Sequence, residues 1–296
     1  MGETVHVSTR DVLVVGAGPS GAACAYWLAE AGHDVLLVEK KRFPREKTCG
    51  DGLTPRAVKQ LDDMGLGGPL AEHGHRFAGL RSIAFGRVLE LEWPETPLFP
   101  RHGYVITRHD LDQLVAERAE KAGVELWERA EATSPVLEAG LVRGATVKRE
   151  DGAVDEVRAR YVVVADGANS RFGRSLGTAR DRSYPQGMAI RGYYSSPRHD
   201  EPWIESHLDV RDRHGNVLPG YGWIFPVGDG RVNVGVGLLS TFNQWKAVNT
   251  SRLMDAFVQW APESWACRPR RRAGRRSAGD CRWGSRSPRA WDRRGS

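Results

Sequence analysis

Residues 11–51 read DVLVVGAGPSGAACAYWLAEAGHDVLLVEKKRFPREKTCGD, and this stretch decides the fold. Asp11–Val15 is a short apolar run of the kind that forms a buried strand. Gly16, Gly18 and Gly21 follow at once as G-x-G-x-x-G. Ala22–Ala31 is rich in Ala and Leu, a helical composition, and Gly32 closes it. Asp34–Val38 is a second apolar strand, and Glu39 ends it. Strand, glycines, helix, strand and terminal acid within a unit of about 30 residues form a dinucleotide-binding fingerprint in its proper setting. Gly16 permits the tight turn, Gly18 lets a pyrophosphate approach bare backbone, and Gly21 lets the helix pack on the sheet. Phosphates would then face the unpaired N–H groups and positive dipole end of the helix. Glu39 can accept hydrogen bonds from ribose hydroxyls. A Rossmann-like unit that holds no ligand is the alternative, and FAD and NAD are not separated by this stretch, because both use the same pyrophosphate grip.

Composition sets the outer bounds. A chain of 296 residues with 40% hydrophobic content can hold one large domain or two medium ones. No run approaches the roughly 18 apolar residues of a membrane span, and MGETVHVSTR at the N-terminus has no apolar signal-peptide core. Cys24, Cys49, Cys267 and Cys281 make no C-x-x-C pair and no metal-ligand spacing, so no metal is expected and a reducing cytoplasm suits the chain. Residues 267–296 hold eleven Arg, two Asp and no Lys or Glu; this segment carries +9 of charge and leaves residues 1–266 at −3 within the overall +6. The segment has no Val, Ile, Leu, Met, Phe or Tyr, too little to offset its chain entropy. It reads either as a disordered basic arm or as a frameshift product, since Arg, Gly, Ser, Pro and Trp without Lys is what GC-rich DNA gives out of frame.

Beyond the fingerprint, Thr54–Met64 reads as a helix with Thr54 as N-cap and Pro55 at its first position. Arg81–Trp93 alternates like one strand, Gly103–Ile106 is a short strand, and Arg108–Ala122 is helical. Val124–Trp127 is a strand of the first sheet. Ala132–Tyr161 holds three runs split by Ala139-Gly140 and Asp151-Gly152, the pattern of an antiparallel meander. Val162–Ala165 reads as a further buried strand ending in Asp166-Gly167. Residues 186–239 are extended runs with turns at 214–216 and 228–230, a second, antiparallel sheet. Ser251–Trp260 reads as a helix.

Four separated stretches, RFPREKTCGDGL (42–53), GYVITRHDLDQLV (103–115), VVVADGANSRFGR (162–174) and PGYGWIFPVGDGRVNVGVGL (219–238), together with the fingerprint resemble the geranylgeranyl reductase family of flavoproteins. That family shares its fold with p-hydroxybenzoate hydroxylase-like enzymes. The resemblance covers about residues 10–260. It implies an α/β fold: a Rossmann-type FAD-binding domain with a parallel sheet and meander (9–75 and 101–182), interleaved with an antiparallel-sheet substrate domain (76–100 and 183–262), then a disordered tail (263–296).

The resemblance implies FAD as cofactor, with NADPH or another reductant as electron donor. The reaction would be reduction of isolated C=C bonds in a prenyl chain of an isoprenoid lipid or menaquinone. Gly16, Ala17, Gly18, Gly21 and Glu39 would hold the ADP half. Cys49, Gly50 and Gly52 would line the flavin loop, Arg108 would reach the pyrophosphate region, and Asp166 and Gly167 would sit at the cofactor. Tyr221, Trp223 and Phe225, in a Y-x-W-x-F-P pattern, would face the hydrophobic substrate, and Cys49 or Tyr221 would donate the proton. As plain structure, Cys49 reads as a loop cysteine, Arg108 as a helix-end charge, Asp166-Gly167 as a turn, and the three aromatics as core packing. The family's second flavin motif is missing after the substrate sheet, so this chain is expected to bind FAD weakly or not at all and to have little reductase activity. A flavin monooxygenase or halogenase on the same fold and a non-catalytic fragment are the rival readings. A membrane-borne substrate implies peripheral contact at the inner membrane face, nucleic acid is not expected as a partner, and the oligomeric state is not set by the sequence.

Overall fold

Bare backbone at the first strand–helix turn organises the first sheet in the computed structural model, which describes residues 6–178, 184, 186–240, 248–261 and 265–269. In chain order the elements begin β1 (His6–Val15), α1 (Pro19–Glu30), β2 (Val35–Glu39), β3 (Gly52–Leu53), α2 (Pro55–Asp63), α3 (Gly67–His73), β4 (His75–Phe77), β5 (Gly79–Ala84), β6 (Arg87–Glu92) and β7 (Gly103–Val105). They continue α4 (Arg108–Lys121), β8 (Glu125–Glu128), β9 (Ala130–Glu138), β10 (Leu141–Arg149), β11 (Val154–Val164) and α5 (Arg171–Ser175). The rest are β12 (Gly187–Ser195), β13 (Trp203–His207), β14 (Gly220–Pro226), β15 (Arg231–Leu239), α6 (Thr250–Trp260) and β16 (Arg268–Pro269). The chain divides into two compact units, residues 6–45 with 109–178, and residues 46–108 with the described residues from 184 onward.

The first unit is a six-stranded sheet in the order β8-β2-β1-β11-β10-β9. Four strands run parallel, and β10 and β9 complete the sheet as an antiparallel meander. Strand β2 is buried along its whole length, as the apolar run VLLV requires of a strand covered on both faces. Leu13, Val15, Leu36 and Val38 pack with Ala145, Val147, Val157 and Phe172 in one core cluster. Helix α1 buries Ala22, Ala25 and Tyr26, and α4 buries Leu111, Val115, Ala116 and Ala119. One reading is corrected here. Val162–Ala165 is no separate buried strand, because β11 runs unbroken from the meander to Val164 and pairs with β1 from Asp155 to Val164. Tyr161 and Val164 are exposed on it.

The second unit contains a seven-stranded sheet, β16-β12-β15-β14-β13-β5-β6, and a three-stranded sheet, β3-β7-β4. Strand β15 is buried from Val232 to Leu238. Its Val232, Val234, Val236 and Leu238 join Ile190, Ile224 and the α6 residues Leu253, Met254 and Phe257 in the main cluster. Gly222 is required there, because a Cβ would run into the Phe257 ring.

The domain boundaries differ from those expected. Residues 46–75 and 101–108 belong with the second unit, because β3 and β4 both pair with β7, and Phe77 and Val105 share a cluster with Tyr193, Ile204 and Val227. Arg81–Trp93 is a hairpin rather than one strand. Phe85 (φ 49°) and Gly86 (φ 74°) both take the left-handed backbone of a tight two-residue turn. Thr54 stands at the N-cap of α2 but makes no side-chain capping bond.

The expected tail starts too early. Trp265 is fully buried, Cys267 packs against the main cluster, and Arg268–Pro269 pair with β12. Burial, and then the charge of Glu205, pushes the Cys267 thiol up to about 11. Residues 270–296, Cys281 among them, lie outside the described residues.

A buried charge cluster anchors Trp265. Glu205, 2% exposed, accepts from Trp265 Nε1 at 2.7 Å and Arg81 Nη1 at 2.9 Å, and lies 3.1 Å from His207 Nε2. Burial alone would raise the Glu205 pKa. The bonds from His207, Arg81 and Trp265 outweigh it and hold the carboxyl below its ordinary 4.5. Its stabilisation is therefore fully present above the unfolded-state value and is lost as pH falls through the lower folded-state value. Glu205→Ala is predicted to cost about 1–3 kcal/mol, by removing the acceptor shared by Trp265, Arg81 and His207 while Arg81 keeps Glu90 and Glu201, read by urea unfolding. Glu205→Gln should make the loss of stability on acidification below the ordinary carboxyl value of 4.5 shallower than in the wild-type protein.

Candidate functional site

In the first unit the ends of β1, β2 and β11 converge on the glycine turn. Gly16 has φ 97°, and a Cβ there would lie 2.6 Å from the Asp166 Cα and 2.7 Å from the Ala165 carbonyl oxygen. A Cβ on Gly21 would overlap the Gly16 carbonyl oxygen. The turn is pinned by Gly16 N–H donating to the Val38 carbonyl and Ala165 N–H to the Val15 carbonyl, both at 2.8 Å. Gly18 is the N-cap of α1 and Pro19 opens the helix, so the first-turn N–H groups have no side-chain cap over them. Asp166 keeps a buried Oδ1 with no hydrogen-bond partner, and Gly167 (φ 90°) turns the chain away.

These features fit an adenine dinucleotide. The backbone is bare where a pyrophosphate would approach, the helix N-terminus is uncovered, and a buried acceptor still lacks its donor. Gly16, Ala17, Gly18, Gly21, Glu39, Asp166 and Gly167 are all brought together in this unit. Glu39 is more heavily engaged than its sequence suggested. It is buried, its Oε2 accepts from Ala17 N–H at 3.2 Å and from Arg45 Nη2 at 3.1 Å, and its Oε1 accepts from Lys41 N–H at 3.0 Å. Arg45 also meets buried Asp112 at 2.8 Å. Sequence reading missed Arg45 because it sits in a charge-rich run, KKRFPREK, that looks solvated. Arg108 opens α4, partly buried.

The second unit holds the other set. Tyr221, Trp223 and Phe225 alternate along β14 and share one face, their ring centroids 5.5 and 6.4 Å apart. Trp223 is 4% exposed and Tyr221 44%, so the row is part core and part surface. The loop carrying Cys49, Gly50 and Gly52 lies against it. A Cβ on Gly50 or Gly52 would come within 3.2 or 3.1 Å of the Phe225 ring. Burial, and then the charge of Cys49, raises the Tyr221 pKa, which keeps its hydroxyl protonated.

Asn233 joins loop to wall. Its Nδ2 donates to the Cys49 carbonyl at 3.0 Å and to Asp51 Oδ2 at 2.7 Å, and its Oδ1 accepts from Trp223 Nε1 at 3.0 Å. Tyr193 also donates to Asp51 Oδ2, at 2.5 Å. None of Asn233, Asp51, Tyr193 and Arg191 was singled out from the sequence. The available signal was polar residues inside runs otherwise fit for a core, RVNVGVGLL above all, since a buried amide must find partners.

Comparison with known proteins agrees with this geometry. The FAD binding domain family matches residues 9–206. The menaquinone reductase of Mycobacterium tuberculosis is 44% identical over 257 residues, 87% of this chain and 62% of that protein. Digeranylgeranylglycerophospholipid reductase 1 of Methanopyrus kandleri is 37% identical over 77% of this chain and 57% of its own length. A geranylgeranyl bacteriochlorophyll reductase-like structure from Thermoplasma acidophilum superposes with a TM-score of 0.74 at 26% identity, over 88% of this chain and 64% of that one. The chain thus spans under two thirds of the length of these relatives.

The glycine turn yields a direct test. Gly21→Ala should weaken ADP binding, measured by calorimetry, at least about tenfold, or 1.4 kcal/mol. Gly32→Asn should leave it unchanged, because Gly32 has a left-handed φ of 86° with open space around it and Asn tolerates that backbone. From its fold, its nucleotide-shaped turn and its relatives, the chain belongs to the FAD binding domain family of flavoproteins.

Proposed function

We propose that this chain supplies the cofactor cradle and the substrate wall of a FAD-dependent oxidoreductase that reduces isolated C=C bonds of a prenyl chain, in an isoprenoid lipid or menaquinone. The observation that carries the reading is the row Tyr221, Trp223 and Phe225 packed on the Cys49–Gly52 loop. That loop is the one assigned to the flavin by family resemblance, and an aromatic wall on it suits an apolar chain. The relatives named menaquinone reductase and digeranylgeranylglycerophospholipid reductase support the same substrate class.

When bound, FAD supplies the hydride chemistry. Gly16, Ala17, Gly18 and Gly21 would hold its phosphates on bare backbone, Glu39 the ribose, Arg108 the pyrophosphate region, and Asp166 and Gly167 the neighbouring part of the cofactor. Cys49, Gly50 and Gly52 would line the flavin. Trp223 and Phe225 would orient the prenyl chain and exclude water, and the half-exposed Tyr221 hydroxyl or the Cys49 thiol would hand over the proton. NADPH or another reductant would recharge the flavin. Contact with a bilayer would come from the substrate; among the described residues no helix is long and apolar enough to cross a membrane.

The test incubates the FAD-loaded protein with a polyprenyl quinone or geranylgeranyl lipid and a reductant without oxygen. The expected product gains two hydrogens per double bond by mass spectrometry. Tyr221→Phe should lower kcat roughly 10²-fold, with Cys49→Ala well short of that. A long-lived peroxyflavin in oxygen and an oxygenated or halogenated product would instead establish the oxygen-activating reading.

A further inference from the structure

Three charged side chains are buried together beside the glycine turn of the first unit. Arg45 directs Nη2 to Glu39 Oε2 at 3.1 Å and Nη1 to Asp112 Oδ2 at 2.8 Å. The Arg45 side chain is 9% exposed, and that of Asp112 is wholly buried on α4. Taking such charges out of water is costly, and a buried ion network is often no more stable than apolar side chains of the same volume. The buried Arg45 Nε also makes no hydrogen bond, a further cost. Stability alone gives no reason for these residues on a helix that otherwise buries Leu111, Val115, Ala116 and Ala119.

Their effect falls on Glu39. Its Oε2 accepts from Arg45 and from Ala17 N–H, and its Oε1 accepts from Lys41 N–H. A carboxylate has about four acceptor positions. Both on Oε2 and one on Oε1 are thus taken, which leaves a single position on Oε1. Arg45 could close that position too. A guanidinium facing one carboxylate prefers two parallel bonds, one to each oxygen. Here the second nitrogen goes to Asp112 instead, so Arg45 meets Glu39 through Oε2 alone. The Phe43 ring, 5.2 Å from the guanidinium carbon, lies against its face. Glu39, Arg45 and Asp112 together carry one net negative charge, so the acceptor keeps its character.

We infer that Asp112 and Arg45 are positioning residues for the adenine nucleotide: Asp112 draws Arg45 aside, and Glu39 Oε1 is thereby held open to accept from a ribose hydroxyl. This role rests on the reading of the glycine turn as a nucleotide cradle and is independent of the prenyl substrate. Ala17 N–H belongs to that same turn, so the bond to Glu39 Oε2 fixes the ribose acceptor relative to the phosphate grip. Without the charge of Asp112, the guanidinium swings onto both Glu39 oxygens and occupies the last acceptor position. Lysine at position 45 would not serve, because one ammonium on a flexible stem lacks the fixed fork that meets two acids at once.

The test is calorimetric titration of the full chain with two probes, ADP and 2′,3′-dideoxy-ADP, which keeps the phosphates and lacks both ribose hydroxyls. Wild type should prefer ADP roughly tenfold, the worth of one hydrogen bond to a charged group. Asp112→Asn should cut that preference to below about threefold through loss of ADP affinity, with dideoxy-ADP binding within about twofold of wild type. Gly21→Ala, which acts on the phosphate grip, should weaken both probes alike. Should Asp112→Asn fail to fold, Arg45→Lys keeps the charge balance and is read by the same ratio. A merely structural role for the pair would lower both affinities together. Equal losses for the two probes, or an unchanged preference in the variant, overturn the inference. So does a wild-type protein that binds both probes equally, since Glu39 then accepts nothing from the ribose. A wild-type protein that binds neither probe overturns the nucleotide reading of the turn and the positioning role with it.

Discussion

The first unit depends on one steric constraint: there is no room for a side chain where β1 turns into α1. Gly16 lies under the Asp166 backbone and Gly21 against the Gly16 carbonyl. That closeness lets three parallel strands end together and leaves amide hydrogens facing outward from the helix N-terminus. Shape and electrostatics there have a single source. The absence of two Cβ atoms both seats the helix on the sheet and leaves a positively polarised surface fit for phosphate.

In the second unit a buried amide does the corresponding work. Asn233 sits at full burial in an otherwise apolar strand and satisfies three groups from two other segments. A buried polar network fully satisfied is rigid, and one partly satisfied is costly. Removing Asn233 would strand the Trp223 indole, the Cys49 carbonyl and one of the two bonds on Asp51 together. The loop and the aromatic wall are therefore held in register by directional bonds as well as by ring packing, and directional bonds are what a site needs to keep reacting groups in place.

Much of the first unit was legible because its determinants are local. The glycine spacing, the apolar run of β2 and the meander turns lie within a few residues of the structure they cause. The second unit was read as an antiparallel sheet, whereas β13 pairs with β5 in parallel across residues distant in sequence, and neither that pairing nor the polar centre was legible. Strands β3, β4 and β16 have two or three residues and show no periodicity. Asp51 and Asn233 are 182 residues apart, and nothing in CGDGL or RVNVGVGLL says that they meet. Tyr221, Trp223 and Phe225 were visible as an alternation, yet only coordinates separate the buried Trp223 from the half-exposed Tyr221. The tail was placed too early at 263 because nothing local marks Trp265 as core: its ring is held by Glu205 and stacked by Arg198, 4.5 Å from the ring centroid, both distant in sequence.

The β5–β6 hairpin bears on how the protein behaves in concentrated solution. Strand β6 is the last strand of the seven-stranded sheet and is exposed at every position, with Val88, Leu89 and Leu91 beside Arg87, Glu90 and Glu92. An outermost strand of this kind offers free backbone donors and acceptors to any other strand it meets, and interspersed charge is the usual guard against self-association. Solubility thus depends on a few charges far along the sheet from the aromatic row, and surface changes on this hairpin would alter colloidal behaviour without touching the chemistry.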